Sequence, residues 1–324
     1  MRNTTALGLG AAAALLGASA LLTRSQTKAI TARHPPRGRF VDTPHARLHV
    51  LEAGAGTPVL LLHGNAVAAN DWANAGLIDA LAQTHRVIAP DRPGYGHSDR
   101  SRERRWTPQA QAQTMADLLR QMQAGPAIVV AHSIGTQVAL RLALDHPDRV
   151  SRLVLVSGYY FPTLRLDALA VAPVAAPVLG DLIRSTVGPL AGRMGAAATL
   201  KAMFSPTAPP PGYERRIFEQ SLRPLMMRAC AADGAAMTTE AAQLEKRLSE
   251  LSMPIMVLAG AEDRIVDPLS QSKRLAHEAP DAVFRLLPGV GHMLHYQNKN
   301  AVVAAVADAP QRTPNAREPA PAHP

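Results

Sequence analysis

A serine between small residues, Ser133, marks the place where an apolar run ends and a helical pattern begins. Residues 127–131 have the composition of a buried strand, and residues 134–145 repeat with helical periodicity. A strand, a tight turn and a helix would expose the Ser133 hydroxyl at the carboxyl edge of a sheet. The backbone N–H of Ile134 would then open the helix, whose positive end can face a developing oxyanion. This pattern predicts a reactive serine.

A nucleophilic serine needs a base that takes its proton and an acid that orients the base. Two later apolar runs end in suitable side chains: residues 253–259 lead into Asp263, and residues 282–287 lead into His292. If both runs are strands of the same sheet, these side chains and Ser133 lie at one edge. The order serine, acid, histidine is the one expected when the nucleophile sits on a strand-to-helix turn.

Other side chains compete for the same roles. His295 is an alternative base, although only His292 directly follows the glycines that end the last strand. Glu262 and Asp267 are alternative acids beside Asp263. Their positions in the sequence favour Asp263 and His292 as the partners of Ser133.

The elements that would position these residues alternate between strand and helix. This alternation predicts an α/β fold with a doubly wound, mostly parallel sheet. A short antiparallel pair comes first, then strands and helices in turn. The predicted strands are 39–42, 47–52, 58–62, 85–89, 127–131, 150–157, 253–259 and 282–287, and the predicted helices are 71–83, 107–123, 134–145, 268–279 and 301–307.

The alternation stops between Gly158 and about Glu250, where the chain is rich in Ala, Pro and Met. This stretch shows helical periodicity in pieces but no strand, so residues 158–249 are predicted to form a helical cap over the sheet. Its methionines are expected to give the pocket an adaptable apolar wall, namely Met203, Met226, Met227 and Met237. The predicted domain therefore spans 38–308, with core segments 38–157 and 250–308, and the proline-rich tail 309–324 is expected to be disordered.

Residues 6–22 form an uncharged, Ala- and Leu-rich stretch. A helix of that length reaches about 26 Å, slightly less than the ~30 Å hydrocarbon core of a bilayer. The segment 1–37 is thus predicted to be a membrane anchor and linker, with a cleaved signal peptide as the alternative. Because most of the basic residues follow the apolar run, the anchor would leave the body on the cytoplasmic side. Cleavage would instead give an exported protein.

Composition excludes several classes of protein. The formal net charge is +9, but residues 1–40 contain six basic and no acidic residues, so the body is nearly balanced and nucleic acid is not an expected partner. The single cysteine, Cys230, excludes an intrachain disulfide and a cysteine-based metal cluster. No cofactor or metal is expected, and the oligomeric state is left open.

Four stretches of the chain together resemble the α/β-hydrolase family with a serine nucleophile. The resemblance covers about residues 38–308. It rests on the sequence Leu-His-Gly-Asn at 62–65, the sequence Asp-Arg-Pro-Gly-Tyr-Gly-His-Ser at 91–98, the turn Ala-His-Ser-Ile-Gly at 131–135, and Gly-Ala-Glu-Asp at 260–263 with Gly-His at 291–292. Ala131 stands where the family pattern has the first glycine of the turn.

The resemblance implies a role for each matching residue. Ser133 would be the nucleophile, His292 the general base and then acid, and Asp263 the orienting carboxylate. The backbone N–H groups of Asn65 and Ile134 would form the oxyanion hole.

The predicted function is therefore that of a serine hydrolase that cleaves an ester of a small apolar acyl or alkyl substrate through an acyl-enzyme. An amide or a C–C bond is a less favoured target. Two alternatives remain: cofactor-free peroxidation by the same triad, as in perhydrolases and haloperoxidases of this fold, and a non-catalytic binding protein. Serine at position 133 argues against the related haloalkane-dehalogenase and epoxide-hydrolase branches, which use an aspartate nucleophile.

Overall fold

A computed structural model describes residues 2–308, so the tail predicted to be disordered lies outside the described residues. Its centre is one sheet of eight strands in the order β1-β2-β4-β3-β5-β6-β7-β8. Strand β2 is antiparallel to both β1 and β4, and the other pairs are parallel. The strands are β1 Arg39–Asp42, β2 Arg47–Ala53, β3 Pro58–Leu62, β4 Arg86–Pro90, β5 Ala127–His132, β6 Val150–Val156, β7 Ile255–Gly260 and β8 Ala282–Leu287. The predicted mostly parallel sheet is confirmed.

The α-helices of the described residues follow the predicted alternation outside residues 157–254. They are α1 Arg2–Arg33, α2 Ala69–Asn74, α3 Leu77–Leu81, α4 Pro108–Gln121, α5 Gly135–Asp145, α6 Leu166–Val171, α7 Leu179–Ser185, α8 Gly188–Phe204, α9 Tyr213–Arg216, α10 Pro224–Glu245, α11 Arg274–Glu278, α12 Leu294–Gln297 and α13 Lys299–Ala307. Helix α4 begins at a proline and is capped by Thr107, whose side chain accepts a hydrogen bond from the Ala110 N–H.

Alternating side chains of the central strands supply two separate apolar cores. On β3, Leu60 and Leu62 pack with α4 and α5, whereas Val59 and Leu61 pack with α2, α3 and α13. Because successive strand residues point to opposite faces, a run that is apolar at every position is buried on both sides. This is why the uninterrupted apolar runs correctly predicted the inner strands.

Two predicted helices differ from the observed ones. The helix expected over 71–83 is broken into α2 and α3, because Gly76 adopts a left-handed backbone with φ 68° at the start of α3. Apolar periodicity continues across the break, so the pattern alone did not reveal it. The helix expected over 268–279 begins as a π-helical turn, Leu269–Lys273, before α11.

The β6–β7 segment, residues 157–254, contains helices α6 to α10 and short 3-10 turns but no strand. Its longest helix, α10, packs against α5 of the sheet layer and against α6 and α7. Phe204 and Tyr213, from α8 and α9, form an apolar cluster with Val67 and Met293 of the loops at the carboxyl edge of the sheet. The segment therefore lies over the edge to which β3 and β5 point.

Helix α1 packs its second half on the β6–β7 segment. Thr23 and Ile30 are buried, the Ser19 hydroxyl donates to the Thr186 carbonyl over 2.9 Å, and Arg33 pairs with Glu219 at 2.7 Å. Among the residues that the structure describes, no single helix is long and apolar enough to cross a membrane, although the bent pair Ala168–Ala175 and Leu179–Ser185 passes that test together. The transmembrane helix predicted over residues 6–22 is therefore not supported.

Candidate active site

Ser133 sits on a strained turn between β5 and α5. Its φ of +54° is left-handed, a conformation that non-glycine residues seldom adopt and that is retained where the surrounding structure enforces it. The Ser133 N–H donates to the Val156 carbonyl over 3.0 Å, and its own carbonyl accepts from the Thr136 N–H over 3.0 Å. A Cβ at Gly135 would lie 2.6 Å from the His63 carbonyl oxygen, so only glycine allows α5 this close to the end of β3.

The first position of the turn tolerates a methyl group. Ala131 is fully buried and pairs with Leu62 on one side and Leu155 on the other. Its Cβ lies within the apolar core shared with α5. The apolar core therefore accommodates the methyl group of Ala131, and the turn keeps its shape without the family's glycine.

The three residues predicted to act together are brought into one hydrogen-bonded chain. His292 Nε2 lies 3.1 Å from Ser133 Oγ, and His292 Nδ1 lies 2.8 Å from Asp263 Oδ2. The other Asp263 oxygen accepts the backbone N–H groups of Ile265 and Val266 at 2.8 and 2.9 Å. Both side chains are buried, so the carboxylate is held in one orientation and fixes the imidazole.

The competing side chains have other partners. The imidazole of His295 is fully buried and bonds Asp71 through Nε2 at 2.9 Å. Asp267 is exposed and accepts from the hydroxyl and N–H of Ser270, while Glu262 is exposed on the same loop. The geometry thus separates Asp263 and His292 from their neighbours in sequence.

The two predicted oxyanion donors lie on the loops that flank Ser133. Within residues 2–308, neither the Asn65 nor the Ile134 backbone N–H donates to another backbone carbonyl. The Asn65 side chain is held from both ends: its oxygen accepts from Tyr95 OH at 2.8 Å and its amide donates to the Cys230 carbonyl at 3.2 Å. Both N–H groups are therefore available for a bound oxyanion.

A buried arginine that the sequence analysis missed positions the loop that carries Asn65. The Arg92 guanidinium donates to the carbonyls of His63 and Gly64, each over 3.0 Å. It also forms an ion pair of 2.7 Å with Asp233 on α10, which binds Arg100 at 3.0 Å as well. Arg92 therefore ties the loop after β3, which carries Asn65, to the β6–β7 segment.

The sequence contained a weak signal for this network. Arg92 lies in the stretch 91–98, one of the four that carry the family resemblance, and Asp233 is an acidic residue among small apolar ones on α10. A lone acid in such surroundings is buried only when it is paired. The partner is 141 residues away, and sequence spacing gives no means of choosing it.

Further histidines pack behind the catalytic candidate. His132 is buried and contacts the His292 carbonyl through Nε2 at 3.0 Å, so that nitrogen carries the proton. Its ring lies 4.8 Å from that of His292 and 4.7 Å from that of His295. Burial, followed by the charges of His295 and His292, lowers the pKa of His132 well below its ordinary value. His132 is thus a neutral packing partner that supports the His292 loop.

Ser133 and His292 open into a cavity of about 400 Å³. Its polar lining includes Asn65, Ser221 and Arg165, and its apolar lining comes mostly from the β6–β7 segment, including Val171, Val174, Met203, Phe218, Leu222, Met227 and Met237. Met226 was expected in this wall but is buried elsewhere, against Ala68 and Tyr95. The cavity fits a small, largely apolar ligand.

A second cavity, of about 650 Å³, lies away from Ser133 between the end of α1, β2 and α2. Its charged lining is mixed, with Arg33, Arg37 and Arg216 beside Asp79 and Asp91. In the described part of the chain, no three His, Cys, Asp or Glu side chains are grouped so that they could hold a metal ion. Of the two cavities, the one at Ser133 is lined by the hydrogen-bonded pair Ser133 and His292.

The sheet order, the strained serine turn and the hydrogen-bonded serine, histidine and aspartate define an α/β-hydrolase fold with a serine triad geometry. The chain belongs to the α/β-hydrolase fold family, whose model matches residues 57–299. The resemblance noted in the sequence is confirmed.

The chain is similar to hydrolases that are named for different substrates. The 2-hydroxymuconate semialdehyde hydrolase of Pseudomonas sp. is 36% identical over 139 residues, which are 42% of this chain and 49% of that protein, so the match spans about half of it. The 2-(acetamidomethylene)succinate hydrolase of Mesorhizobium japonicum is 28% identical, and the match covers 83% of this chain and 94% of that protein.

Among solved structures, an esterase from Exiguobacterium antarcticum superposes with a TM-score of 0.68 at 17% identity. The superposition covers 84% of this chain and 98% of the esterase. At this level of identity the likeness concerns the fold alone.

Proposed function

We propose that this protein is a serine hydrolase that cleaves an ester of a small apolar acyl or alkyl substrate through an acyl-enzyme on Ser133. The observation that carries the proposal is the continuous chain from Ser133 Oγ to His292 Nε2 at 3.1 Å and from His292 Nδ1 to Asp263 at 2.8 Å. A serine hydroxyl that touches a base oriented by a carboxylate is the arrangement of nucleophilic catalysis.

In the first half of the reaction, His292 Nε2 takes the Ser133 proton while Oγ attacks the ester carbonyl carbon. The negative charge moves to the carbonyl oxygen, which accepts hydrogen bonds from the N–H groups of Asn65 and Ile134. Each such donor contributes about 10²–10³ in rate. The protonated His292 then donates to the leaving alkoxide, so an alcohol departs and the acyl group stays on Ser133.

In the second half, His292 takes a proton from water, whose oxygen attacks the acyl carbon. The tetrahedral intermediate collapses, the carboxylic acid leaves, and His292 returns the proton to Ser133 Oγ. No cofactor or metal takes part in this proposed cycle. Asp263 stays ionised throughout and stabilises the imidazolium that forms in both halves.

The helices of the β6–β7 segment would act as a cap that selects the substrate. Methionine side chains are flexible and polarisable, and Met203, Met227 and Met237 would adapt to acyl groups of different shape. The apolar part of the lining favours an uncharged acyl chain, because a carboxylate placed against it would lose its hydration.

The test is hydrolysis of p-nitrophenyl esters of increasing acyl length by the full chain, with Ser133→Ala as the blank. We expect turnover that rises and then falls with chain length, a burst of p-nitrophenol, and labelling of the parent but not of Ser133→Ala by a fluorophosphonate. Labelling of Ser133→Ala would refute the nucleophile assignment. The absence of turnover across the panel would favour a binding protein, and peracid formation that exceeds ester cleavage would favour a perhydrolase.

A further inference from the structure

The outer side of the β6–β7 segment exposes many large apolar side chains. We define the outer apolar surface by Leu164, Leu169, Val178, Leu182, Leu190 and Met194, whose exposed fractions lie between 48% and 82%. These residues belong to the loop before α6 and to α6, α7 and α8 or their immediate flanks. Helix α7 contacts α8 and the turn after α6, so their elements are neighbours in space. Monomeric proteins seldom expose so many adjacent apolar groups without a binding role.

Helix α8 shows most clearly that apolar side chains of this segment face solvent. Its inward residues Ala196, Leu200 and Met203 recur at helical spacing and are buried. On the opposite, solvent-facing arc, Leu190 and Met194 are four residues apart and therefore adjacent on the helix. A helix that faces water normally carries charges of both signs on that arc. Leu190 and Met194 make part of the outer arc of α8 apolar as well.

The charges that α8 contributes beside this surface are basic. Helix α8 contains Arg193 and Lys201 and no acidic residue, and both basic side chains are exposed. Helices α6 and α7 contain one aspartate each, and the one on α7, Asp181, is paired with Arg102 at 2.7 Å. The surface thus combines apolar side chains with positive charge.

Helix α1 extends the same pattern. It lacks acidic residues, and it touches α7 next to the outer apolar surface through the bond from Ser19 to Thr186. While Thr23 faces the body, Leu21, Arg24 and Lys28 are exposed and share a face because they are three and seven residues apart. Leucine and basic side chains again stand together in solvent.

We propose that the outer apolar surface docks in the headgroup region of an anionic lipid bilayer, with α1 and α8 lying along the interface. Helices that bind in this way bury an apolar face at the boundary of the acyl chains and place Lys and Arg against anionic headgroups. The absence of acidic residues from α1 and α8 distinguishes this partner from a second protein copy, which would meet positive charge with positive charge.

Docking would also bring lipid next to the wall of the Ser133 cavity. Val171 of α6, which is exposed, and Gly192 of α8 both line the cavity, and these two helices also carry residues of the outer apolar surface. An apolar ester dissolved in the bilayer would then lie beside the cavity rather than in bulk water. This consequence rests on the proposed function, whereas the docking itself does not.

The experiment measures co-sedimentation of the full chain with vesicles of phosphatidylcholine alone and of phosphatidylcholine mixed with phosphatidylserine. Three variants are compared: Leu190→Asp with Met194→Asp, Arg193→Gln with Lys201→Gln, and Leu269→Asp with Leu286→Asp. The last pair is the matched control, since both leucines are exposed on elements outside the outer apolar surface. Thermal unfolding followed by circular dichroism reports that each variant is folded, and hydrolysis of a short, water-soluble ester reports on the Ser133 site.

We expect the parent to bind the anionic vesicles. The Leu190→Asp, Met194→Asp variant should lose at least tenfold in partition coefficient, and the basic variant should lose about fivefold per charge removed. The control should remain within twofold of the parent. Ester hydrolysis in solution should be equal in all four proteins.

Three results would overturn the proposal. One is that the parent fails to sediment with anionic vesicles, and another is that the α8 variants bind as well as the parent, which would confine lipid contact to α1. The third is a parent dimer in light scattering that becomes a monomer on Leu190→Asp with Met194→Asp, which would show that a second copy covers the surface. If the parent binds the vesicles but does not hydrolyse the ester, the proposed function is refuted and the docking proposal is unaffected.

Discussion

At the scale of single residues, the two oxygens of the Asp263 carboxylate accept hydrogen bonds from different partners. Asp263 Oδ1 accepts the backbone N–H groups of Ile265 and Val266, and Asp263 Oδ2 accepts His292 Nδ1–H. Because Oδ2 can only accept, the proton of a neutral imidazole stays on Nδ1. His292 Nε2 then presents its lone pair to the Ser133 hydroxyl, as a general base must.

This division predicts the effect of Asp263→Asn. The amide oxygen will keep the position of Oδ1, because two backbone N–H groups point at it, so the NH₂ group will face His292 Nδ1. That contact favours the tautomer with the proton on Nε2, which cannot accept from Ser133. We expect kcat for ester hydrolysis to fall about 10³–10⁴-fold with little change in stability.

The matched controls are Glu262→Gln and Asp267→Asn, which remove the neighbouring carboxylates that do not touch His292. Both should hydrolyse the ester within severalfold of the parent rate. A large loss in either control, with Asp263→Asn active, would transfer the orienting role to another acid.

At the scale of elements, the loop after β3 that carries Asn65 is held through an ion pair with α10. Asp233 faces two arginines, and the three side chains are almost fully buried. Burial raises the pKa of Asp233, but the charges of Arg100 and Arg92 and their hydrogen bonds outweigh it, so the pKa lies below its ordinary value. The carboxylate is thus ionised in the folded protein near neutral pH.

We predict that Asp233→Asn destabilises the protein by about 3 kcal/mol or more, because it leaves two buried guanidinium groups without a counter-charge. Urea unfolding at pH 7 measures this loss. The matched control is Glu250→Gln, which removes an exposed partner of Arg247 and should leave the unfolding midpoint unchanged. Equal midpoints for the two variants would mean that the buried pair contributes no net stability.

The same variant should affect catalysis. Arg92 holds the carbonyls of His63 and Gly64, and the Asn65 N–H follows directly in the chain. If the ion pair fixes Arg92, its loss will loosen one oxyanion donor and lower kcat more than it raises KM, because that donor acts mainly in the transition state.

At the scale of the whole molecule, buried neutral histidines couple the fold to pH. Burial and the charge of Arg92 lower the pKa of His63 from 6.5 to about 3. His63 Nδ1 bonds the Gly64 carbonyl and Nε2 accepts the Arg92 N–H, so the folded protein has no place for a second proton. The unfolded chain binds that proton freely below pH 6.5.

Since the unfolded state binds more protons below pH 6.5, the free energy of unfolding must fall as the pH drops from 6.5 towards 3. For His63 the slope is on the order of 1 kcal/mol per pH unit. We predict that His63→Gln makes this dependence shallower in urea unfolding measured between pH 7 and pH 4. Replacement of the exposed His277 by Gln is the control and should leave the slope unchanged.

The fold could be predicted largely from sequence because its signals are local. Each inner strand is an apolar run, α4 and α5 each have their own helical period, and the turn at Ser133 needs small neighbours such as Gly135, which are visible in the sequence. The break at Gly76 escaped prediction because the apolar pattern of α2 and α3 runs through it.

The candidate site likewise has a part that the sequence predicts and a part that only the structure shows. Chain order and motif position sufficed to select Ser133, Asp263 and His292, since each follows the carboxyl end of a strand and parallel strands deliver these ends to one edge. Only the tertiary structure showed that His295 is hydrogen-bonded to Asp71 and that Asp233 pairs with Arg92, which is 141 residues away in the sequence. Such pairings depend on how α10 and the loops pack over the sheet, and side-chain packing at long range leaves no periodic trace in the sequence.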